Sequence, residues 1–186
     1  MKRSFFLVAL TLAFVAVNAQ AQKFPGLDPS PMDKVFYPGN VPLSDLRGGD
    51  YVAAKVKLVY SRPQLKGRDM MGKIVNGKMW RMGANEANEI TFYQDVTIGD
   101  TKVSAGTYSL FAMPSADKWT FVLHSKLNTW GNFALKNSKE VARVDGPVSK
   151  SDDSIEALSM MFKEVEGGLH LMIGWQNTIA EMPIKM

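Results

Sequence analysis

Polar and apolar residues alternate along short segments of this chain from residue 51 onward. The first segment starts at Tyr51, and its apolar positions are Val52, Ala54, Val56, Leu58 and Tyr60. Alternation with a period of two is typical of a strand that buries one face. Pro63 ends this strand, and the polar, glycine-bearing residues 64–77 predict a loop.

The same pattern recurs in segments that are separated by turn residues. The predicted strands are 89–98, 101–103, 107–113, 118–124, 141–144, 169–175 and 178–184. Gly99-Asp100 fits a two-residue hairpin turn between the first two of them. Pro183 lacks a backbone N–H, and this predicts that the last strand lies at an edge of the sheet.

Residues 155–165 fit two patterns at once. Ile155, Leu158 and Phe162 have nearly helical spacing. Leu158, Met160 and Phe162, in contrast, alternate as in a strand. A glycine pair and a clear strand follow, which favours a strand that forms a hairpin with the next one.

These elements predict an all-β domain over residues 51–186. Many short strands with regular turns favour an antiparallel β-sandwich, either jelly-roll-like or a partly open barrel, over a parallel α/β sheet. The chain has no cysteine, so its stability must come from packing and not from disulfides.

Residues 22–50 have a different composition from the rest of the chain. Their prolines and glycines are Pro25, Pro29, Pro31, Pro38, Pro42, Gly26, Gly39, Gly48 and Gly49. Such a segment cannot form a regular helix or a central strand. Because it also carries aromatic residues such as Phe24 and Tyr37, we predict an extended N-terminal arm that lies on the domain.

The N-terminus has the three parts of a secretory signal peptide. Lys2 and Arg3 form a positive region, and residues 5–17 form an almost unbroken apolar run. Residues 19–21, Ala-Gln-Ala, supply the small side chains that a signal peptidase reads. The run is shorter than the roughly 20 residues that span a bilayer. We therefore predict a signal peptide over residues 1–21 that is cleaved after Ala21; the alternative is a buried N-terminal helix.

The net charge of the chain limits the classes of molecule that it is expected to bind. The full chain has 22 basic and 18 acidic residues, a net charge of +4, and loss of Lys2 and Arg3 would leave 20 against 18. So small an excess does not indicate a nucleic-acid partner. No cysteine is present to carry a lipid anchor, so we expect a periplasmic or secreted protein without a membrane span.

The densest group of polar side chains lies between β-rich segments, in residues 62–89. We predict a ligand site formed by Arg62, Lys66, Arg68, Trp80, Arg81, Asn85, Glu86 and Glu89. Arginine presents a rigid fork of donors to carboxylate or phosphate oxygens, and tryptophan can stack on a ring. The cluster favours a binding module for a small anionic or carbohydrate-like ligand.

Three other interpretations stay open. The arginines could pair with acidic residues as a structural network. The chain could be a hydrolase that uses Glu86 or Glu89 as acid or base, which requires both carboxyl groups to face one cleft. It could also be a structural or interaction protein of the cell envelope, which predicts an exposed apolar patch and no pocket.

No motif indicates a metal or a cofactor. The two histidines, His124 and His170, lie on predicted strands and outside any recognised ligand spacing. The chain has no nucleophile elbow and no phosphate-binding glycine loop. Its 12 methionines favour adaptable core packing over soft-metal binding. We expect no metal and no cofactor, and a binding role is favoured over an enzymatic one.

Four motifs carry a resemblance to a known family. They are Tyr-Ser-Arg-Pro-x-x-Lys-Gly-Arg from residue 60, Trp-Arg-x-Gly-Ala-Asn-Glu from residue 80, Ala-Gly-Thr-Tyr-Ser-Leu-Phe from residue 105, and Trp-Gly from residue 130. In these motifs the chain resembles the domain of unknown function family 2911, and the resemblance covers nearly the whole mature chain. It implies an all-β protein of the kind exported mostly by Bacteroidetes, and it implies no particular activity.

Overall fold

The computed structural model describes residues 23–44, 46, 51–133 and 135–186. Within these residues, nine strands form one antiparallel sheet. The strands are β1 (Met32–Tyr37), β2 (Val56–Ser61), β3 (Asn88–Phe92), β4 (Val96–Ile98), β5 (Thr101–Val103), β6 (Gly106–Pro114), β7 (Lys118–His124), β8 (Glu140–Val165) and β9 (Gly168–Lys185). Their order in the sheet is β1-β2-β3-β6-β7-β8-β9-β4-β5. The predicted signal peptide and its cleavage site lie outside the described residues.

Within the residues that the structure describes, helical structure is limited to single turns. These are the short helix α1 (Met71–Ile74) and two 3-10 turns, Val41–Leu43 and Leu135–Asn137. The all-β, antiparallel fold that the alternation predicts is therefore confirmed, and α1 interrupts the segment predicted as a loop. Within the described residues no helix is long and apolar enough to cross a membrane.

The sheet curls around its core without closing into a barrel. The segment that follows β2 reaches across to β8 through a bridge between Gln64 and Ala157. Two backbone hydrogen bonds flank this bridge: Leu65 N–H donates to Glu156 O at 2.9 Å, and Leu158 N–H donates to Pro63 O at 3.0 Å. The segment after β2 is thus brought beside the middle of β8, although four strands separate β2 from β9 on the far side of β8 in the order of the sheet.

The hairpin of β8 and β9 is much longer than the pattern predicts. Residues 155–165 are strand, as favoured above, but they continue the strand that begins at Glu140. Register shifts follow Lys150 and Ile155, and Gln176 of β9 has a φ of +53°. Such bulges let a continuous strand bend, so one long hairpin spans what the sequence presents as separate short strands.

Two local predictions were wrong. Segment 89–98 is not one strand, because Tyr93 is half exposed and Asp95 turns away to accept the Ala105 N–H at 2.8 Å. Its two halves, β3 and β4, lie in different parts of the sheet. The strand that contains Pro183 is not at an edge, since β9 lies between β8 and β4. Pro183 falls between the residues of β9 that pair with β8 and the one that pairs with β4, where a missing N–H is tolerated.

The predicted arm contributes the edge strand β1. It pairs antiparallel with β2 from Met32 opposite Ser61 to Tyr37 opposite Val56. Further backbone bonds hold both ends, from Arg62 N–H to Pro31 O at 3.0 Å and from Lys55 N–H to Tyr37 O at 2.8 Å. The outer edge of β1 faces β8.

Two glycines allow close backbone approaches that involve β9. A Cβ at Gly146 of β8 would lie 1.8 Å from the carbonyl oxygen of Glu181, and a Cβ at Gly168 would lie 2.1 Å from that of Ile184. Real Cβ atoms do not approach backbone oxygens at such distances. A side chain at Gly146 would therefore push β9 away from β8, and a side chain at Gly168 would force apart the two ends of β9 itself.

A buried histidine anchors a loop on the outer face of the sheet. His124 Nδ1 lies 2.8 Å from Ser138 Oγ, and that hydroxyl donates to Leu135 O at 2.9 Å. Since the Ser138 proton is committed to Leu135, His124 Nδ1–H is the donor to Ser138 Oγ. Burial lowers the pKa of His124, against a smaller opposing effect of Glu140; Arg143 adds to the lowering.

This arrangement predicts a pH-dependent stability. The unfolded chain takes up a proton at His124 near pH 6.5, whereas the folded chain resists protonation to lower pH. The contribution of His124 is thus fully present above about pH 6.5 and is lost as pH falls toward the folded pKa. We expect the wild type to lose more unfolding free energy between pH 7.5 and pH 5 than His124→Gln does, as measured by urea denaturation. Equal losses in both proteins would contradict this assignment.

Candidate functional site

The structure separates the eight predicted site residues into three places. Arg62 follows β2, and Lys66 and Arg68 lie in the next loop. The third group consists of residues of the segment leading into β3 and one residue of β3 itself: Trp80, Arg81, Asn85, Glu86 and, in β3, Glu89. Most of these residues form hydrogen bonds, ion pairs or ring contacts with residues of other strands and loops.

Arg62 joins β1 to β8. Its Nη1 donates to Asp33 Oδ2 at 3.0 Å, its Nη2 to Ser159 Oγ at 3.0 Å, and its Nε to Leu158 O at 3.2 Å. The fork of one guanidinium thus ties the edge strand to the long hairpin. The ion-pair partner of this arginine is thus a carboxylate of the chain, which is the arrangement that a structural network predicts.

Lys66 and Arg68 shape their own loop. Lys66 has a φ of +49°, and its backbone N–H donates to Glu156 Oε1 at 2.9 Å. Arg68 donates from Nε to Leu65 O at 2.9 Å and from Nη2 to Gln64 O at 2.6 Å. The guanidinium of Arg68 therefore caps backbone carbonyls.

Trp80 is partly buried and packs against the core. Its ring is stacked on Trp175, with centroids 5.9 Å apart and an interplanar angle of 2°. It meets Trp119 edge-on at 5.8 Å. Backbone bonds to Ala112 in both directions fix the segment. The structure gives this indole a packing role rather than the exposed ring face that ligand stacking requires.

The turn before β3 is held by buried polar groups. Ser61 Oγ accepts the Ala84 N–H at 2.7 Å and donates to Ala84 O at 2.9 Å. Asn88, which is fully buried, donates from Nδ2 to Met82 O at 2.9 Å. Met82 has a φ of +57°, which a non-glycine residue adopts only when its surroundings enforce it. The sequence shows Ser61 only as an ordinary strand serine. In the structure its hydroxyl holds this turn in place through both bonds to Ala84.

Distant motifs of the sequence meet beside this turn. Glu86 is bridged to Trp130, so both side chains project to the same side. Arg81 lies against Gly131, where a Cβ would be 3.4 Å from Arg81 Cδ. Asn85 Nδ2 donates to Asp28 Oδ2 of the N-terminal segment at 2.9 Å.

Glu86 and Glu89 line one shallow depression of about 280 Å³, together with Met32, Val59, Ala87, Asn128 and Thr129. Two carboxyl groups at one depression are what the hydrolase hypothesis requires. Glu89, however, already accepts the Asn128 N–H at 2.8 Å. One of the two carboxylates therefore holds the neighbouring loop in place.

A larger groove lies where β1 faces the β8–β9 hairpin. We call it the edge groove; its volume is about 550 Å³, and it is lined by Asp33, Lys34, Val35, Tyr60, Arg62, Ile155, Ser159, Met160, Met161, Lys163, Met172, Gly174 and Ile179. Arg62 is the one predicted site residue among them. The volume is in the range of sites that hold small molecules.

The floor of the edge groove is apolar and its polar groups are paired. Met161 and Met172 are opposite each other in the hairpin, as are Ser159 and Gly174, so all four face the groove. Tyr60 Oη accepts the Met160 N–H at 3.2 Å. Burial raises the pKa of Tyr60, which keeps its hydroxyl neutral.

One sequence feature could have pointed to this groove: β8 and β9 carry apolar residues on both of their faces, and not on one face alone. Strands β8 and β9 bury Leu158, Met160 and Ile173 toward the core, yet their opposite faces also carry apolar residues such as Met161 and Met172. Strands that are apolar on both faces have two faces to cover. The second apolar face of the hairpin lies toward β1, which comes from a segment far away in sequence.

Metal ligands are not grouped in the described residues. Among them, no three histidine or carboxylate side chains are placed to hold a metal ion. His170 is paired with Glu181, with Nδ1 2.6 Å from Oε2.

Comparison with known proteins places the chain in a family. No curated protein and no solved structure matches it. A family model described as protein of unknown function DUF2911 matches residues 47–184, which include every strand from β2 to β8 and nearly all of β9. The chain therefore belongs to the DUF2911 family, whose function is unknown.

Proposed function

We propose that this protein is a binding module that holds a small, largely apolar molecule in the edge groove. The observation that carries this proposal is an apolar groove of about 550 Å³ between two strands that do not hydrogen-bond along it. Its walls belong to hydrogen-bonded strands of the sheet, and pre-formed concave sites of this size are typical of ligand binding.

The contacts around Arg62 support a pre-formed site. The guanidinium holds Asp33 on one wall and Ser159 on the other, so the width of the groove is set before any ligand arrives. Pre-organised walls lower the entropic cost of binding. Methionine side chains on the floor adapt to ligands of irregular shape.

The groove favours binding over the two alternative functions. The depression beside Glu86 and Glu89 is about half the volume of the edge groove, and Glu89 is occupied by Asn128. A purely structural protein would need no such groove. With the predicted signal peptide, the proposal describes a carrier or sensor of small molecules outside the cytoplasm.

Titration with the neutral fluorescent probe Nile red tests this function. We expect saturable binding of one probe per chain, with a higher melting temperature at saturation. Met161→Glu should weaken it about tenfold or more, because a carboxylate would enter the apolar floor. Met161 is 58% exposed, so the fold should tolerate this change.

Met186→Glu is the matched control, because Met186 is an exposed methionine outside the edge groove. It should bind Nile red like the wild type. If the wild type shows no saturable binding, or if both variants bind equally well, the edge groove is not the binding site.

A further inference from the structure

We propose that the molecule held in the edge groove is an amphipathic acid, with an apolar body on the methionine floor and one anionic group at Lys34 and Lys163. This inference rests on the proposed function, and it specifies the chemical class of the ligand. A free carboxylate, sulfonate or phosphate monoester on a single apolar chain or ring would satisfy it.

The charges around the groove are unequal. Of its four ionisable residues that are charged at neutral pH, three are basic and one is acidic, namely Lys34, Arg62, Lys163 and Asp33. Arg62 and Asp33 neutralise each other at 3.0 Å. The two lysines are the uncompensated charges, because neither forms an ion pair with a described residue.

The two lysines stand on opposite walls. Lys34 belongs to the edge strand β1, and its Nζ lies 5.9 Å from the centroid of the Phe36 ring. Lys163 belongs to β8, on the same face as Met161. Both are exposed, so their ammonium groups keep their water and can close over an anion at the rim while their stems cover the groove.

The rest of the lining matches an apolar body. Val35, Ile155, Met161, Met172 and Ile179 contribute aliphatic or thioether surface and no free donor. The Ser159 hydroxyl accepts from Arg62 and donates to Ala157 O, and the Tyr60 hydroxyl oxygen already accepts the Met160 N–H. The hydroxyl groups of a sugar would find few unpaired hydrogen-bond partners on this floor. An alkyl or aryl group has no hydrogen bonds to lose when it is buried there.

Affinity for three probes of equal chain length distinguishes the outcomes. We expect decanoate to bind more tightly than 1-decanol, and decylammonium to bind most weakly. Lys34→Gln and Lys163→Gln should each weaken decanoate about threefold, and together about tenfold, without changing the affinity for 1-decanol. Raising the salt concentration should weaken decanoate alone. Lys78→Gln, an exposed lysine outside the groove, is the control.

The failure of this inference can be told from the failure of the proposed function. If the three probes bind equally and the lysine variants bind like the wild type, the groove holds apolar ligands without selecting acids, and the inference is wrong. If neither Nile red nor any of the three probes binds, the proposed function is wrong and the inference falls with it. Melting temperatures of the variants show that each is folded.

Discussion

Trp80→Ala is expected to lower the free energy of unfolding by about 3–5 kcal/mol. The partly buried indole is stacked on Trp175 and meets Trp119 edge-on, so its removal takes away the packing partner of two fully buried side chains. Urea denaturation followed by far-ultraviolet circular dichroism measures the loss without relying on tryptophan fluorescence.

Trp130→Ala provides the matched control. Trp130 is 61% exposed on its loop, and its truncation should change stability by no more than about 0.5 kcal/mol. Trp80→Phe, which keeps an aromatic ring in the stack, should bind Nile red with wild-type affinity. A Trp80→Ala variant as stable as Trp130→Ala would show that this indole does not belong to the core.

Gly146→Ala is expected to cost about 3 kcal/mol or more. The new methyl group would lie 1.8 Å from the Glu181 carbonyl oxygen and 2.9 Å from Phe121 Cε2. The oxygen belongs to the backbone, so the clash cannot be relieved by a side-chain rotation, and the strands must separate. Thermal and urea denaturation of the variant give the magnitude.

The control for this substitution is Gly39→Ala. Nothing lies within 4 Å of a Cβ at Gly39, so the same chemical change should shift stability by about 0.5 kcal/mol at most. Similar stabilities for the two variants would mean that β8 and β9 can move apart at little cost, and that the crossing at Gly146 is not a tight contact.

Local pattern was sufficient for most of the strands. Lys118–His124 is a strand over the residues that the alternation predicts, and Gly99-Asp100 joins Ile98 to Thr101 as a two-residue turn. Both features depend on side-chain period and turn chemistry within a few residues. The family resemblance, which rests on motifs of similar length, is confirmed over residues 47–184.

Features that depend on long-range packing could not be predicted in this way. Trp80 occurs in a polar motif and was predicted to face a ligand, yet its neighbours in space are Trp119 and Trp175. Arg62 was predicted beside Lys66 and Arg68, but its partners are on β1 and β8. Composition along the chain does not show which strand will cover the second face of a hairpin.

The position of β1 in the edge groove has a consequence for folding. One wall comes from the first strand of the sheet and the other from the last hairpin, and Arg62 bonds to Ser159 at a separation of 97 residues. Contacts so distant in sequence form late, after the loop between them has closed. An incomplete or partly unfolded chain therefore has no groove to offer. The ligand would bind only chains in which both β1 and the β8–β9 hairpin have joined the sheet. Bound ligand would therefore also indicate that the whole domain is folded.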